Sequence, residues 1–207
     1  MNQNAALLLI DIQNDFCPGG NLAVPEGDQV VAVANQLMPL FPIIIATQDW
    51  HPAHHMSFAS SHDQKAGNVL MTDHGEQILW PDHCVQQSYG AQLHAALHQE
   101  KITKIFYKGT DINIDSYSAF YDNHHLKSTR LTSWLREKNI TTLYVMGLAT
   151  DYCVKYSCLD AITDGFSVHL ILEGCRGVNL QKHDIENALQ EMQDKGVSFI
   201  HARDLLP

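Results

Sequence analysis

The sequence predicts an α/β protein with three layers, in which helices cover both faces of a mostly parallel central sheet. Within each short predicted strand, the residues are almost all apolar and do not alternate with polar ones, as expected for strands that are buried on both faces. Segments of helical periodicity separate these predicted strands, and helices are the usual connections between parallel strands. The 207 residues suffice for a substantial core, and we expect a single domain over 1–207.

Each predicted strand is short, apolar and rich in β-branched residues. The six predicted strands span 6–12, 43–50, 104–109, 141–147, 167–172 and 197–202. Each predicted helix repeats its apolar residues at a helical spacing. The five predicted helices span 27–41, 90–100, 128–139, 151–164 and 181–195. Ser128 is the predicted N-cap of the third helix, and the segments 51–89 and 110–127 are predicted to be irregular.

Composition excludes several classes of protein. Hydrophobic residues make up 45% and charged residues 17%, which is typical of a globular chain. The 23 acidic residues outnumber the 13 Lys and Arg, and a formal charge of -10 disfavours binding to nucleic acid or to anionic membranes. No apolar run approaches the roughly 18 residues that span a bilayer. The first apolar run ends at Asp11 without a basic leader, so we expect a cytoplasmic protein.

Reactive side chains stand where four of the predicted strands end. Asp11 ends the first, and Asp49 and His51 end the second. Lys108 ends the third, and the fourth leads through "GLATDY" to Cys153. In parallel sheets, ligands bind beyond the carboxyl ends of the strands. We therefore predict that these residues meet at one edge of the sheet.

Cys153 lies in the first turn of a predicted helix, where unpaired N–H groups and partial positive charge favour a thiolate. The same N–H groups, with those of the "LAT" turn, can hold an oxyanion, and the small residues Gly147 and Ala149 let a substrate approach the backbone. The alternative is a buried thiol without reactivity, the role that we assign to Cys158 and Cys175. Five cysteines without a C-x-x-C pair predict free thiols.

A nucleophilic cysteine needs a base, and no histidine stands at a strand end near Cys153. Asp11 can take the thiol proton, while Lys108 positions Asp11 and adds positive charge that favours thiolate and oxyanion. The predicted reaction is acyl transfer through a thioester that water then hydrolyses.

A second group of residues resembles a metal site. Asp49 and His51 are two apart on an extended segment, and "WPDHC" supplies His83 from another loop. One carboxylate and two imidazoles suit a catalytic Zn, Fe or Mn ion with open positions. His54 and His55 are adjacent, and His55 is a candidate fourth ligand.

Two aromatic residues and one long loop are also predicted to lie near this edge. Phe16 and Trp80 can enclose a flat substrate, or they can simply pack loops onto the body. The segment 109–123 is long for a loop, which indicates a functional loop or lid. The remaining histidines of the irregular segments are predicted to be at the surface: His62, His74, His124 and His125.

Five blocks of sequence together resemble the nicotinamidase group of the isochorismatase-like cysteine hydrolase family. They are "LLLIDIQNDFCPGG", "TQDWHPAHHMSFAS", "WPDHC", "KGTDINIDSYSAFYDN" and "GLATDYCV", and the resemblance runs from about 6 to 204. The Asp, Lys and Cys blocks mark the wider family. The D-x-H and "WPDHC" blocks match its metal-dependent nicotinamidases.

The resemblance implies that the chain hydrolyses nicotinamide to nicotinate and ammonia in NAD salvage, with one divalent metal ion, zinc before iron or manganese. It implies a cis peptide between Leu148 and Ala149. The implied residue roles are a catalytic triad of Asp11, Lys108 and Cys153, metal ligands Asp49, His51 and His83, ring contacts Phe16 and Trp80, and an oxyanion hole of Ala149 and Cys153.

Two other functions stay open at this point. One is a related amidase that acts on pyrazinamide-like or N-carbamoyl substrates, because the sequence does not show the pocket. The other is a metal- or ligand-binding module without catalysis, although such a module would predict a broken triad. A homo-oligomer is compatible with the sequence, which shows no interface signature.

Overall fold

The computed structural model describes residues 3–72 and 75–206, so His74 lies outside the described residues. Its centre is a sheet of six strands in which every neighbouring pair is parallel. The strands are β1 (Ala5–Ile10), β2 (Ile44–Asp49), β5 (Lys104–Lys108), β6 (Thr142–Leu148), β7 (Ser167–Arg176) and β8 (Ser198–Ile200). Their order across the sheet is β5-β2-β1-β6-β7-β8. The predicted fold class is confirmed.

In the described part of the chain, four α-helices accompany the sheet: α1 (Gln29–Leu37), α2 (Leu131–Glu137), α3 (Lys155–Thr163) and α4 (Asp184–Asp194). All six residues of β1 are buried, which explains why its sequence is apolar without alternation. Among residues 3–72 and 75–206, no helix combines the length and the apolar character that crossing a bilayer requires.

The predicted helix at 90–100 is wrong. The structure has only a 3-10 turn at Gln99–Lys101 there. The backbone just before it is bonded to the loop that follows β1, because His94 N–H donates to the Ile12 carbonyl and Asn14 N–H donates to the Gln92 carbonyl. The residues whose apolar spacing predicts a helix therefore take part in an extended contact between two loops.

Two further predictions need correction. Ser128 does not cap α2, which begins at Leu131. Instead, the Ser128 hydroxyl accepts a hydrogen bond from Arg130 N–H, and Arg130 adopts a φ of 70° just before the helix. The segment 51–89 is not wholly irregular, because β3 (Val69–Thr72) and β4 (Gly75–Ile78) pair as a separate antiparallel sheet.

Gly147 was predicted to let a substrate approach the backbone, but the structure shows a different reason for glycine at this position. A Cβ built on Gly147 would lie 2.1 Å from the carbonyl oxygen of Ile10, on the neighbouring strand β1, and the residue has a φ of +132°. The small residue therefore lets β6 lie beside β1 at the reactive edge. Glycine is required here by the backbone of this protein.

We predict that Gly147→Ala destabilises the protein more than Gly165→Ala. Gly165 also has a positive φ, +89°, but its added Cβ would have no heavy atom within 4 Å among the described residues other than Gly165 and its two chain neighbours. Gly165→Ala should therefore cost only the conformational strain of about 1–2 kcal/mol. Gly147→Ala adds overpacking of about 1–3 kcal/mol. Chemical denaturation measures both free energies of unfolding, and equal losses would contradict this account.

Candidate active site

The ammonium group of Lys108 occupies the centre of the reactive edge. Lys108 is 2% exposed, and its Nζ lies 2.9 Å from Asp11 Oδ2, 2.5 Å from Asp49 Oδ1 and 3.3 Å from Cys153 Sγ. Nζ also donates to the carbonyl of Ser116 at 2.9 Å. Burial alone would lower the pKa of Lys108, but Asp11 and Asp49 outweigh it and raise the pKa well above its usual value. The amine is therefore held as a cation.

Asp11 is fully buried and is turned into the site by the backbone. Its φ of 48° ends β1, and its Oδ1 accepts a hydrogen bond from the Thr47 hydroxyl at 2.6 Å. Oδ2 faces Lys108, but within the described part of the chain no donor has suitable geometry for a hydrogen bond to it. Burial raises the pKa of Asp11 to about 6, although Lys108 opposes this shift. Oδ2 is thus a carboxylate atom with capacity to accept a proton.

Cys153 stands in a π-helical turn, Thr150–Val154, that leads from β6 into α3. Burial raises the pKa of the Cys153 thiol well above its usual value, although Lys108 opposes this. The expectation that the helix N-terminus makes this thiol easier to ionise is not met, because the thiol is almost completely buried. Ligand atoms of Asp11, Asp49 and Cys153 lie within 4.8 Å of one another, which makes the Asp11 carboxylate a candidate acceptor of the thiol proton.

Asp49 links this cluster to two convergent imidazoles, and the three side chains could hold a metal ion. Its second oxygen, Oδ2, lies 3.7 Å from His51 Nε2 and 3.9 Å from His83 Nε2. Burial would raise the pKa of Asp49, but Lys108 and His51 outweigh it and hold the pKa well below its usual range. One carboxylate therefore faces an ammonium with one oxygen and two imidazoles with the other.

The two imidazoles are oriented as metal ligands usually are. His51 Nδ1 is 2.9 Å from the carbonyl of Gly109, and His83 Nδ1 is 2.7 Å from the carbonyl of Pro81. In the neutral form of each ring, a carbonyl partner on Nδ1 places the proton there and leaves the Nε2 lone pair for a cation. Burial lowers the pKa of His83 to about 4, which keeps this ring neutral. The donor set fits a divalent ion.

His55 belongs to an adjacent group instead of the Asp49 group. Its ring centroid lies 4.3 Å from that of His51, and the ligand atoms of His51, His55 and Asp115 lie within 4.8 Å of one another. His55 Nδ1 is 2.8 Å from the Ser57 hydroxyl and Nε2 is 3.3 Å from the Ile114 carbonyl. Both ring nitrogens are engaged, so ligation by His55 would break one of these contacts. His54 is exposed.

A cleft with aromatic walls opens above Cys153. Its free volume is about 370 Å³ when the open mouth of the cleft is included. Phe16 and Trp80 line it, as predicted, together with Asp49 and His83. Sequence reasoning missed the other lining residues, Leu22, Asp115, Tyr117, Tyr152 and Val178.

Tyr117 and Tyr152 complete the aromatic wall around Trp80. The indole N–H of Trp80 donates to the Tyr117 hydroxyl at 3.1 Å, and the Trp80 and Tyr152 rings meet edge to face at 4.9 Å. Tyr117 lies in the long loop 109–123, which was predicted to be functional, and Tyr152 precedes Cys153. The available signals were the length of that loop for Tyr117 and the adjacent predicted nucleophile for Tyr152.

The backbone before Cys153 has one further feature. The peptide between Leu148 and Ala149 is cis, which the resemblance implied. Ala149 and Cys153 both line the cleft. Their N–H groups as an oxyanion hole stay a prediction.

Three of the predicted surface histidines, His62, His124 and His125, are among the described residues, and none of them lines the cleft. His62 is half-buried, and its Nε2 is 2.8 Å from the Met56 carbonyl. His124 is half-buried and His125 is exposed.

Known proteins resemble this chain along nearly its whole length. The family profile described as "Isochorismatase domain" matches residues 5–204. A nicotinamidase of Escherichia coli (strain K12) is 52% identical over 203 residues, which cover 96% of this chain and 95% of that protein. The solved structure of an Acinetobacter baumanii nicotinamidase and pyrazinamidase is 42% identical, with a TM-score of 0.97 and complete coverage of both chains. A zinc complex of a Pyrococcus horikoshii pyrazinamidase is 33% identical, with a TM-score of 0.78 and coverage of 96% and 99%.

We predict that His51→Ala and His55→Ala differ in metal content. Loss of a side chain that only supports a ligand typically costs about 10–100-fold in metal affinity. His51→Ala removes a convergent donor, so its loss of metal affinity should exceed this range. His55→Ala should lower the metal affinity by less than about tenfold. Elemental analysis and competition with a chelator measure both affinities. Equal losses would identify His55 as the fourth ligand.

Proposed function

The chain belongs to the isochorismatase family, and we propose that it hydrolyses nicotinamide to nicotinate and ammonia in NAD salvage. One observation carries the proposal: Asp11, Lys108 and Cys153 meet at the base of an aromatic cleft whose wall holds a metal-binding group. Similarity to nicotinamidases over nearly the full chain supports this substrate. The reaction is hydrolysis of a carboxamide C–N bond.

In the first half of the reaction, Cys153 Sγ attacks the carboxamide carbon while its proton passes to Asp11 Oδ2. The C=O π electrons move to oxygen, where the N–H groups of Ala149 and Cys153 stabilise the negative charge. Asp11 returns the proton to the amide nitrogen as the C–N bond breaks, and the bonding electron pair leaves with ammonia. The product on the enzyme is a thioester.

Water completes the cycle by the same proton route. Asp11 accepts a proton from water as its oxygen attacks the thioester carbon, and Sγ departs with the C–S electron pair. Asp11 then returns the proton to Sγ, and the nicotinic acid that is formed releases its carboxyl proton to solvent as nicotinate. The raised pKa of Asp11, about 6, suits a group that accepts and donates the same proton near neutral pH.

Lys108 stabilises the anionic species of each step. Its ammonium is 3.3 Å from Sγ and 2.9 Å from Asp11 Oδ2, so it favours negative charge on either atom. Because Lys108 also contacts Asp49, it is held in place by two carboxylates. It acts here through electrostatics and does not itself transfer a proton.

The metal proposed for the Asp49, His51 and His83 group is zinc, with iron and manganese as alternatives. Support comes from the mixed N/O donor set and from the zinc bound to the related Pyrococcus pyrazinamidase. When bound, such an ion would supply a Lewis acid for the pyridine nitrogen and draw electron density from the ring. Phe16 and Trp80 would enclose the ring.

Pyrazinamide is a second candidate substrate. The residues around the cleft are largely aromatic or aliphatic, and such walls discriminate weakly between rings of the same size. The related Acinetobacter enzyme is described as both a nicotinamidase and a pyrazinamidase. We therefore propose that both amides are hydrolysed at this site.

We predict that Cys153→Ala abolishes ammonia release from nicotinamide while the protein retains its metal. Sγ is not a member of the Asp49, His51 and His83 group, so metal content should match that of the wild type. Cys158→Ala is the matched control, because Cys158 is also buried but does not line the cleft, and it should retain turnover.

Chelation should abolish ammonia release by the wild type, and added metal should restore it. Ordinary turnover in Cys153→Ala would disprove the nucleophile. Turnover that is insensitive to complete metal removal would disprove the proposed role of the metal.

A further inference from the structure

The end of β2 lacks a strand neighbour on one side. Strands β1 and β2 pair only as far as Leu9 and Ala46, because Asp11 turns the chain away with its φ of 48°. On the other side, β2 pairs with β5 as far as Asp49 and Lys108. The N–H and C=O of Asp49 therefore point to a position that β1 has already left.

The side chain of Gln13 fills this position. Its Oε1 accepts a hydrogen bond from Asp49 N–H at 2.8 Å, and its Nε2 donates to the Asp49 carbonyl at 2.9 Å. Nε2 also donates to the Ala91 carbonyl at 2.8 Å. Gln13 is 0% exposed, so all of these bonds are shielded from water. The amide replaces the peptide group that a neighbouring strand would present.

These two hydrogen bonds hold the backbone of Asp49, whose carboxylate links the cluster around Lys108 to the two imidazoles. Asp49 Oδ1 is 2.5 Å from Lys108 Nζ, and Oδ2 faces His51 and His83. A carboxylate can meet both demands only if its backbone is fixed. The β5 side supplies one constraint through the hydrogen bond from Trp50 N–H to the Lys108 carbonyl, and Gln13 supplies the other.

We infer that Gln13 is a positioning residue that fixes the backbone of Asp49, and thereby sets the metal affinity of the Asp49, His51 and His83 group. Gln13 does not line the cleft, and its side-chain hydrogen bonds in the described part of the chain go to the backbone of Asp49 and Ala91. Its effect on turnover rests on the proposed function, but its effect on metal binding does not.

Gln48 offers a matched control. It is a buried glutamine, 5% exposed, that precedes Asp49 in the chain, and its Nε2 donates to the same Ala91 carbonyl at 2.6 Å. Its side chain makes no hydrogen bond to the Asp49 backbone in the described structure. Gln13→Met and Gln48→Met therefore remove amides of equal size and similar burial that differ in their contact with Asp49.

The experiment measures the dissociation constant for Zn²⁺, by competition with a chelator, in the full-length wild type and both variants. Gln13→Met should weaken zinc binding by about 10–100-fold, the range for residues that support metal ligands. Gln48→Met should change it less than threefold, even if both variants lose similar thermal stability. Unchanged affinity in Gln13→Met, or an equal loss in Gln48→Met, would overturn the inference.

A second variant covers the case in which Gln13→Met does not fold. Gln13→Asn keeps an amide but shortens the side chain by one methylene, so it cannot make both contacts with Asp49, and the same weakening of zinc binding is expected. Normal affinity in that variant would overturn the inference. Failure of the wild type to hydrolyse nicotinamide would disprove the proposed function and leave this comparison of zinc affinities intact.

Discussion

The site depends on one buried ammonium group. An isolated charge inside a protein is very costly, and Lys108 is tolerated because two carboxylates face it. One carboxylate follows β1 and the other ends β2, the ammonium ends β5, and the thiol beside it lies in the helical segment after β6. The ion pairs therefore require the carboxyl ends of these elements to converge, and the parallel sheet is the scaffold that makes them do so.

This arrangement makes the nucleophile and the metal group one electrostatic unit. Asp11 and Asp49 share the same cation, yet burial raises the pKa of Asp11 to about 6 while Lys108 and His51 hold that of Asp49 well below its usual range. Two identical side chains thus differ in their protonation behaviour. Asp11 can exchange a proton with Cys153, and Asp49 stays an anion that can bind a cation.

Much of this site could be predicted because its reactive side chains lie at or just beyond the ends of predicted strands. Asp11, Asp49, Lys108 and Cys153 follow apolar runs, and parallel pairing alone brings such residues together. The helix at 90–100 was wrongly predicted because its backbone bonds to a loop distant in sequence, which apolar spacing does not reveal. The raised pKa of the Cys153 thiol was also not predicted, because it results from burial by residues distant in sequence.

The local sequence around Cys153 predicts a helix N-terminus, but how deeply the thiol is buried there depends on the whole fold. The same limit applies to Gln13, which reads as an ordinary polar residue until β1 is seen to turn away from Asp49. Tyr117 could be placed only in a functional loop, because its contact with Trp80 joins segments 37 residues apart.

The most direct test of the central role of Lys108 is the free energy of unfolding of the metal-free variants Lys108→Met and Lys108→Met/Asp11→Asn, measured by chemical denaturation. Removing one partner of a buried ion pair typically costs about 3–5 kcal/mol, and we expect that loss in Lys108→Met. Adding Asp11→Asn should then restore part of it, because one of the two unpaired carboxylates is gone. A Lys108→Met protein as stable as the wild type, or a double variant less stable than the single one, would contradict the account.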